Sequence, residues 1–279
     1  MGLEVLRQIQ PVAAVVVLAA LLLVETAHPF FDAFRERSRG RHGLRNLALG
    51  AVNGLIVAVG FAGVWVVTAE WAAQNGVGLL NAVALPGWAR VVGAFLLLDV
   101  WIYLWHRLNH RVPFLWRLHR VHHSDAEMDV TTASRFHTGE IVLSSLLRIG
   151  VIAAVGVSAW ELVLYETVMF AVVQFHHANV AVPPALDRAM RAVIATPAMH
   201  KIHHSRWRPE TDSNYGSLFS WWDRLFRSFR LRADVGTVRL GLDGFDTPEH
   251  ESFKGLLAMP VAPMDVLEDD ERNRPPEGE

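Results

Sequence analysis

The chain of 279 residues is 52% hydrophobic and only 19% charged, with a formal net charge of −2. Soluble chains of this length usually carry more charge, and a near-neutral balance with dispersed Lys and Arg gives no field to recruit nucleic acid. The absence of cysteine excludes disulfides, thiolate metal sites, iron–sulfur clusters and cysteine nucleophiles.

In chain order, PVAAVVVLAALLLVETAHPFF reads as a first membrane span with Pro11 at its entry, a position that proline tolerates. A cleaved signal peptide fits less well, because only Arg7 precedes the apolar run and no A-x-A site follows it. Leu47 to Ala69 carries no charge and is long enough to cross a bilayer. A third span runs from Arg90 to Trp105, interrupted only by Asp99. Ile141–Val157 and Trp160–Phe175 are shorter apolar stretches that form either two crossings or a hairpin. Ser158 and Glu161 between them predict a capping box for the second helix. The segment FRERSRGRHGLR carries five Arg residues, whereas Trp71 to Ala89 carries no Lys or Arg. Short basic loops stay on the cytoplasmic side, so Trp71–Ala89 is expected outside and His106 on the cytoplasmic face. The ending DVLEDDERNRPPEGE predicts a disordered acidic tail.

The fold expected is an all-α integral membrane protein, with four to five transmembrane or hairpin helices and a cytosolic helical cap. Its parts are N-terminal transmembrane helices (1–88), a metal-binding domain (89–235), a C-terminal extension of that domain (236–260) and the tail (261–279).

Histidine is the anomaly, with 14 copies, 11 of them between His106 and His204. His106 and His110 stand at i, i+4; His119, His122 and His123 stand at i, i+3, i+4, and so do His200, His203 and His204. Helical spacing of this kind puts imidazoles on one face, and neutral imidazole is the commonest metal-binding side chain. A lone pair is weak evidence, but two near-identical hexapeptides, HRVHHS and HKIHHS, point to a metal site. Eight imidazoles can serve two ions, and spacing alone leaves iron, zinc and copper open. Asp99, Tyr103, His106 and His110 share one helical stripe. A carboxylate in an apolar span is costly and usually functional, so Asp99 is expected to orient one of the ligands. Asp125, Asp129, Glu140 and Asp223 are further carboxylates whose partners the sequence does not assign.

These segments resemble the fatty acid hydroxylase superfamily of membrane-bound di-iron oxygenases, to which the sterol desaturases belong. The matching stretches are DVWIYLWHRLNH, LHRVHHSDAEMDVTTASRFHTGE, QFHHANV, MHKIHHS and TDSNYGSLFSWWDRLF. The resemblance implies that His106, His110, His119, His122, His123, His200, His203 and His204 ligate two irons, with His177 as a ninth ligand. It implies supporting places beside the metals for His137, His176 and Asn179, with Thr138 standing where the family usually has proline. The function implied is hydroxylation or desaturation of a membrane lipid with dioxygen, and no protein nucleophile or base is needed. Electrons would come from a separate redox partner or reduced cofactor, since no flavin or haem motif is present. The Ala/Val/Arg-heavy composition suggests a bacterial inner membrane. Two other readings stand beside it. A zinc-dependent membrane hydrolase would need the Glu of H-E-x-x-H, which is absent. A non-enzymatic metal- or haem-binding membrane protein would need fewer histidines.

Overall fold

The computed structural model describes residues 3–32 and 38–263; most of the expected acidic tail lies outside them, as does part of the Arg-rich segment. Among the described residues there is no β-strand, only three isolated bridges. The chain is an all-α membrane protein, with four helices long and apolar enough to cross a bilayer. These are α1 (Leu3–Ala27), α2 (Arg39–Gly60), α4 (Gly87–Arg111) and α6 (Thr138–Val155). Between and beside them lie α3 (Ala62–Gln74), α5 (Pro113–His123) and α7 (Ala159–His177).

Two span expectations need correction. Pro11 does not open the first helix; α1 begins at Leu3 and holds Pro11 in its interior. Nor is Leu47–Ala69 one straight crossing. The helix breaks at Phe61, with φ −128° and ψ −35°, between α2 and α3. Gly60 and Gly63 flank the break and relax the chain there. Phe61 N–H still donates to Val57 O at 2.9 Å and Trp65 N–H to Phe61 O at 2.9 Å, so the axis bends without ending. The expected turn between the last two apolar stretches is present: the Ser158 N–H donates to Glu161 Oε2 at 2.8 Å and opens α7.

The bundle has two unlike ends. At one end, the loop after α3 packs under the α6–α7 turn, where Leu80 N–H donates to Val155 O at 2.9 Å. Arg90 ties this end together through Leu80 O, Gly156 O and Glu161. Gly78 and Gly156 touch backbone to backbone, and a Cβ on Gly78 would lie 2.4 Å from the Gly156 nitrogen. The apolar core here includes Trp65, Leu98, Ile152, Leu162 and Tyr165.

At the other end lie the Arg-rich start of α2, the C-termini of α4, α5 and α7, and a cap of short helices. These are α8 (Pro184–Met190), α9 (Pro197–His203), α10 (Arg208–Thr211), α11 (Trp221–Leu225) and α12 (Phe253–Ala258). The C-terminal extension is no loose appendage. Leu242, Phe245, Leu256 and Met259 form one cluster with Leu49 of α2 and with Trp116 and Val121 of α5. The Arg-rich start of α2 and the histidines therefore share one end, opposite Trp71–Ala89.

Candidate metal centre

Both hexapeptides close short helices that open on proline. Pro113 starts α5, which ends at His123, and Pro197 starts α9, which ends at His203 with His204 as its cap. His106 and His110 lie in the last turns of α4, and His176 and His177 end α7. Four helix C-termini thus converge on one spot. Each carries roughly half a negative elementary charge, so the backbone favours cations there.

The histidines sort into two buried groups. His106, His110, His119, His123 and His203 form one; His122, His177, His200 and His204 form the other. Within each group the candidate ligand atoms all lie within 4.8 Å of one another. The two hexapeptides are shared between the groups in mirror fashion. The first gives His119 and His123 to the five-membered group and His122 to the other. The second gives His200 and His204 to the four-membered group and His203 to the other. Helical geometry explains the split: positions i and i+4 are only about 40° apart around the axis, while i+3 lies about 100° from i+4.

The remaining letters of the hexapeptide also find their roles. Val121 and Ile202 are fully buried. Arg120 and Lys201 turn away from the histidines and clamp carbonyls of neighbouring segments. Arg120 donates to Met259 O and Ala262 O with its guanidinium over the Phe245 ring. Lys201 donates to Ala178 O at 2.8 Å beside the Phe30 ring.

Does this donor set suit metal ions? His106 Nδ1 faces Tyr215 O at 2.8 Å, His203 Nδ1 faces Ser213 O at 2.7 Å, and His177 Nδ1 faces Val173 O at 2.7 Å. His119 Nδ1 faces Glu140 Oε1 at 3.0 Å. An acceptor at Nδ1 fixes the proton there and turns the Nε2 lone pair inward. The Nε2 atoms of His106, His119 and His203 are buried without a hydrogen-bond partner, which native structures rarely tolerate. In the other group His177 Nε2 is 3.0 Å from both His122 Nε2 and His200 Nε2, and His200 Nε2 is 3.2 Å from His204 Nε2. Two nitrogens bound at about 2.1 Å and at right angles on one ion would be about 3.0 Å apart. Burial first, and then neighbouring imidazoles, hold His122, His123, His200 and His204 well below the usual imidazole range, and His203 is lowered to about 3. All are ligand-ready at neutral pH. The residues fit two cations.

A cavity of about 760 Å³ opens from these groups into the bundle. His106, His119, His122, His177 and His200 line one end, and α1, α2, α4, α6 and α7 supply mostly apolar walls, among them Val57, Trp101, Ile102 and Phe170, with Phe136 from the loop before α6.

Comparison with known proteins agrees with this geometry. Residues 91–228, which hold both hexapeptides and the pairs on α4 and α7, match the fatty acid hydroxylase family. The chain carries a fatty acid hydroxylase domain. It is 26% identical over 175 residues to an ornithine lipid hydroxylase, OlsE, of Rhizobium tropici, covering 63% of this chain and 50% of that protein. It is 29% identical to the alkylglycerol monooxygenase of Homo sapiens over 49% of this chain and 29% of that protein. A cholesterol 25-hydroxylase-like protein of Danio rerio is 30% identical over 50% of this chain and 57% of that protein. The chain thus spans about half or less of the length of most of these relatives. No solved structure matches it.

Within this fatty acid hydroxylase domain, the residues that steer the imidazoles are not those the sequence suggested. Asp99 touches no histidine. It accepts from Tyr165 Oη at 2.9 Å, Phe219 N at 3.0 Å and Trp222 Nε1 at 2.8 Å, and so pins α4 to α7 and the cap. The shared stripe failed as a guide because Asp99 sits two turns before His106, too far along the axis to reach it. His137 caps α6, accepting from Gly139 N–H at 3.0 Å, and reaches no imidazole of either group. Asn179 also points elsewhere, bonding the backbone N–H and C=O of Phe31. His176 joins neither group; it stacks on His200 with ring centroids 3.9 Å apart.

Glu140 does face a ligand candidate: it accepts from Asn109 Nδ2 at 3.0 Å as well as facing His119. The other anchors are carbonyls of the TDSNYGS stretch. Asn214 takes a left-handed φ of 51°, which asparagine tolerates, and Gly216 admits the Asp223 carboxylate, which a Cβ would meet at 2.8 Å. Asp223 accepts from Tyr215 N and Gly216 N at 2.8 and 2.9 Å, and burial lifts its carboxyl to about 6. Asp125 accepts from Thr132 Oγ1 at 2.7 Å and lies 2.9 Å from His42 Nε2, anchoring the end of α5 to α2. In the sequence His42 is only one more letter of the Arg-rich segment, with no spacing that ties it to Asp125.

Proposed function

We propose that this chain is a membrane-embedded oxygenase that hydroxylates a lipid, with its nine grouped histidines holding two iron ions. The observation that carries the reading is the opening of two all-imidazole groups onto one apolar cavity inside a helical membrane bundle. The names of the relatives, lipid hydroxylases and monooxygenases, support the reaction class. A di-iron centre, when bound, supplies reductive activation of dioxygen for C–H oxidation. Overall, one oxygen atom enters a C–H bond to give the alcohol and the other leaves as water, with two electrons and two protons from a separate donor. This chain's own residues bind and align the lipid in the cavity and keep bulk water from the reacting end. The carbonyls of Val173, Ser213 and Tyr215, and the Glu140 carboxylate, hold the imidazole tautomers fixed.

Oxygen isotopes test the chemistry. Product formed under oxygen-18 gas should carry the label, and the purified protein should hold about two irons per chain. Label taken from water, or turnover without oxygen, would return the zinc hydrolase reading.

The placement we propose is a bacterial inner membrane with the histidines on the cytoplasmic side, supported by the Arg-rich start of α2 at that end of the bundle. The chain has no cysteine, so single cysteines report cleanly. One at exposed Gln74 should react with an impermeant thiol reagent in intact cells, and one at exposed Arg239 should react only after lysis. The opposite pattern would invert the topology.

A further inference from the structure

The cavity has a second, polar end that the histidines do not explain. Arg148 of α6 and Glu166 of α7 form an ion pair that lines the cavity, with the Arg148 guanidinium 4.9 Å from the Trp65 ring centroid. Arg7 and Gln10 of α1 line it as well. Gln174 of α7 donates to Ala14 O of α1, and further along Ala181 N–H donates to His28 O, so α1 and α7 run parallel. That register brings Arg7 level with Glu166 and Thr167. Arg7 therefore stands at the depth of the Arg148–Glu166 pair, and all three residues line the same cavity. Arg148 lies two turns beyond Glu140 on α6, about 12 Å, and Glu166 lies about 16 Å before His177 on α7, at 1.5 Å per residue. Charged side chains within apolar spans are costly and mark function more often than packing.

We propose that this end is a headgroup site, in which Arg7 and Arg148 hold an anionic oxygen group of the lipid, a carboxylate or a phosphate. Glu166 keeps Arg148 oriented while the site is empty of lipid. Guanidinium forks suit both anions, and the excess of one positive charge favours an anion over a neutral alcohol. With the headgroup held here, the chain runs down the apolar walls and presents a carbon about 12–16 Å away to the histidine end. The proposal rests on the lipid-oxygenase reading for its substrate, but it concerns binding and does not need turnover.

The test is equilibrium binding of radiolabelled hexadecanoate, hexadecyl phosphate and hexadecan-1-ol to the purified full chain in lipid nanodiscs. The two anions should bind at least tenfold more tightly than the alcohol, and preference between them identifies which anion fits. Arg7→Gln combined with Arg148→Gln should erase that tenfold difference while leaving metal content unchanged. Glu166→Gln, which removes the competing carboxylate, should tighten both anions severalfold and leave the alcohol unaffected. This arm decides the matter if the double variant fails to fold. Equal affinity of the wild type for all three probes, or a preference untouched by these substitutions, would overturn the headgroup site. Such a result would leave oxygen-18 incorporation as an independent question, and loss of that incorporation with the anion preference intact would fault only the oxygenase reading.

Discussion

His122→Ala is expected to leave a folded protein that holds about one metal ion per chain instead of two, with lipid oxidation reduced at least a hundredfold. Even the loss of an outer partner of a metal ligand costs ten- to a hundredfold, and His122 faces the group directly, 3.0 Å from His177 Nε2. It belongs to the smaller group, so its removal leaves three imidazoles. Its ring also stacks on Phe136 at 4.2 Å with 12° between planes, which fixes its angle before any ion arrives. His110→Ala is the contrasting case. His110 belongs to the five-membered group, and neither ring nitrogen has a hydrogen-bond partner. Four well-placed imidazoles remain without it, so metal content should stay near two while activity falls less. Elemental analysis of the two purified variants reads the difference. Equal metal loss in both would show that the groups are not the separate four- and five-membered sites proposed.

Six of the nine grouped histidines were legible because a helical ligand set writes itself into the sequence as i, i+3, i+4 spacing, twice over, and His106 and His110 showed as an i, i+4 pair; His177 entered only through the family resemblance. The apolar spans were legible for a similar reason, since the bilayer imposes length and composition on every crossing helix. The bend at Phe61 was not, because apolar content continues unbroken through it while the backbone turns. The division of each hexapeptide between two sites follows from the 3.6-residue turn, yet which group receives the lone histidine depends on how α5 and α9 face each other. That is a tertiary fact. The anchors of His106, His177 and His203 are main-chain carbonyls, which have no letter of their own. Only the unusual Asn214 and Gly216 hint that the TDSNYGS stretch bends to present them. Asp99 misled because a buried carboxylate near ligands in sequence has two possible uses, and its three donors come from residues 66 to 123 positions away.

That correction yields a separable pair of outcomes, one for metal retention and one for stability. Glu140→Gln keeps the side-chain volume and one acceptor, but it removes the charge that faces His119 Nδ1 at 3.0 Å and that Asn109 also contacts. His119 then faces a neutral, weaker acceptor in place of the carboxylate that fixes its tautomer. Metal retention against a chelator should fall about tenfold for Gln and up to about a hundredfold for Ala, with the unfolding temperature of the metal-free protein little changed. Asp99→Asn should do the reverse. Its carboxylate accepts from Tyr165, Phe219 and Trp222 with both oxygens, and an amide presents one NH2 where three donors already point inward. At least one buried donor is left unpaired, at a cost of about 1–3 kcal/mol. The protein should therefore melt earlier yet hold its metal ions as tightly as before, because nothing Asp99 touches is an imidazole. Chelator competition and thermal unfolding of both variants decide it. If Asp99→Asn sheds metal while Glu140→Gln does not, the sequence stripe was the better guide, and the contacts of Glu140 are not what orients His119.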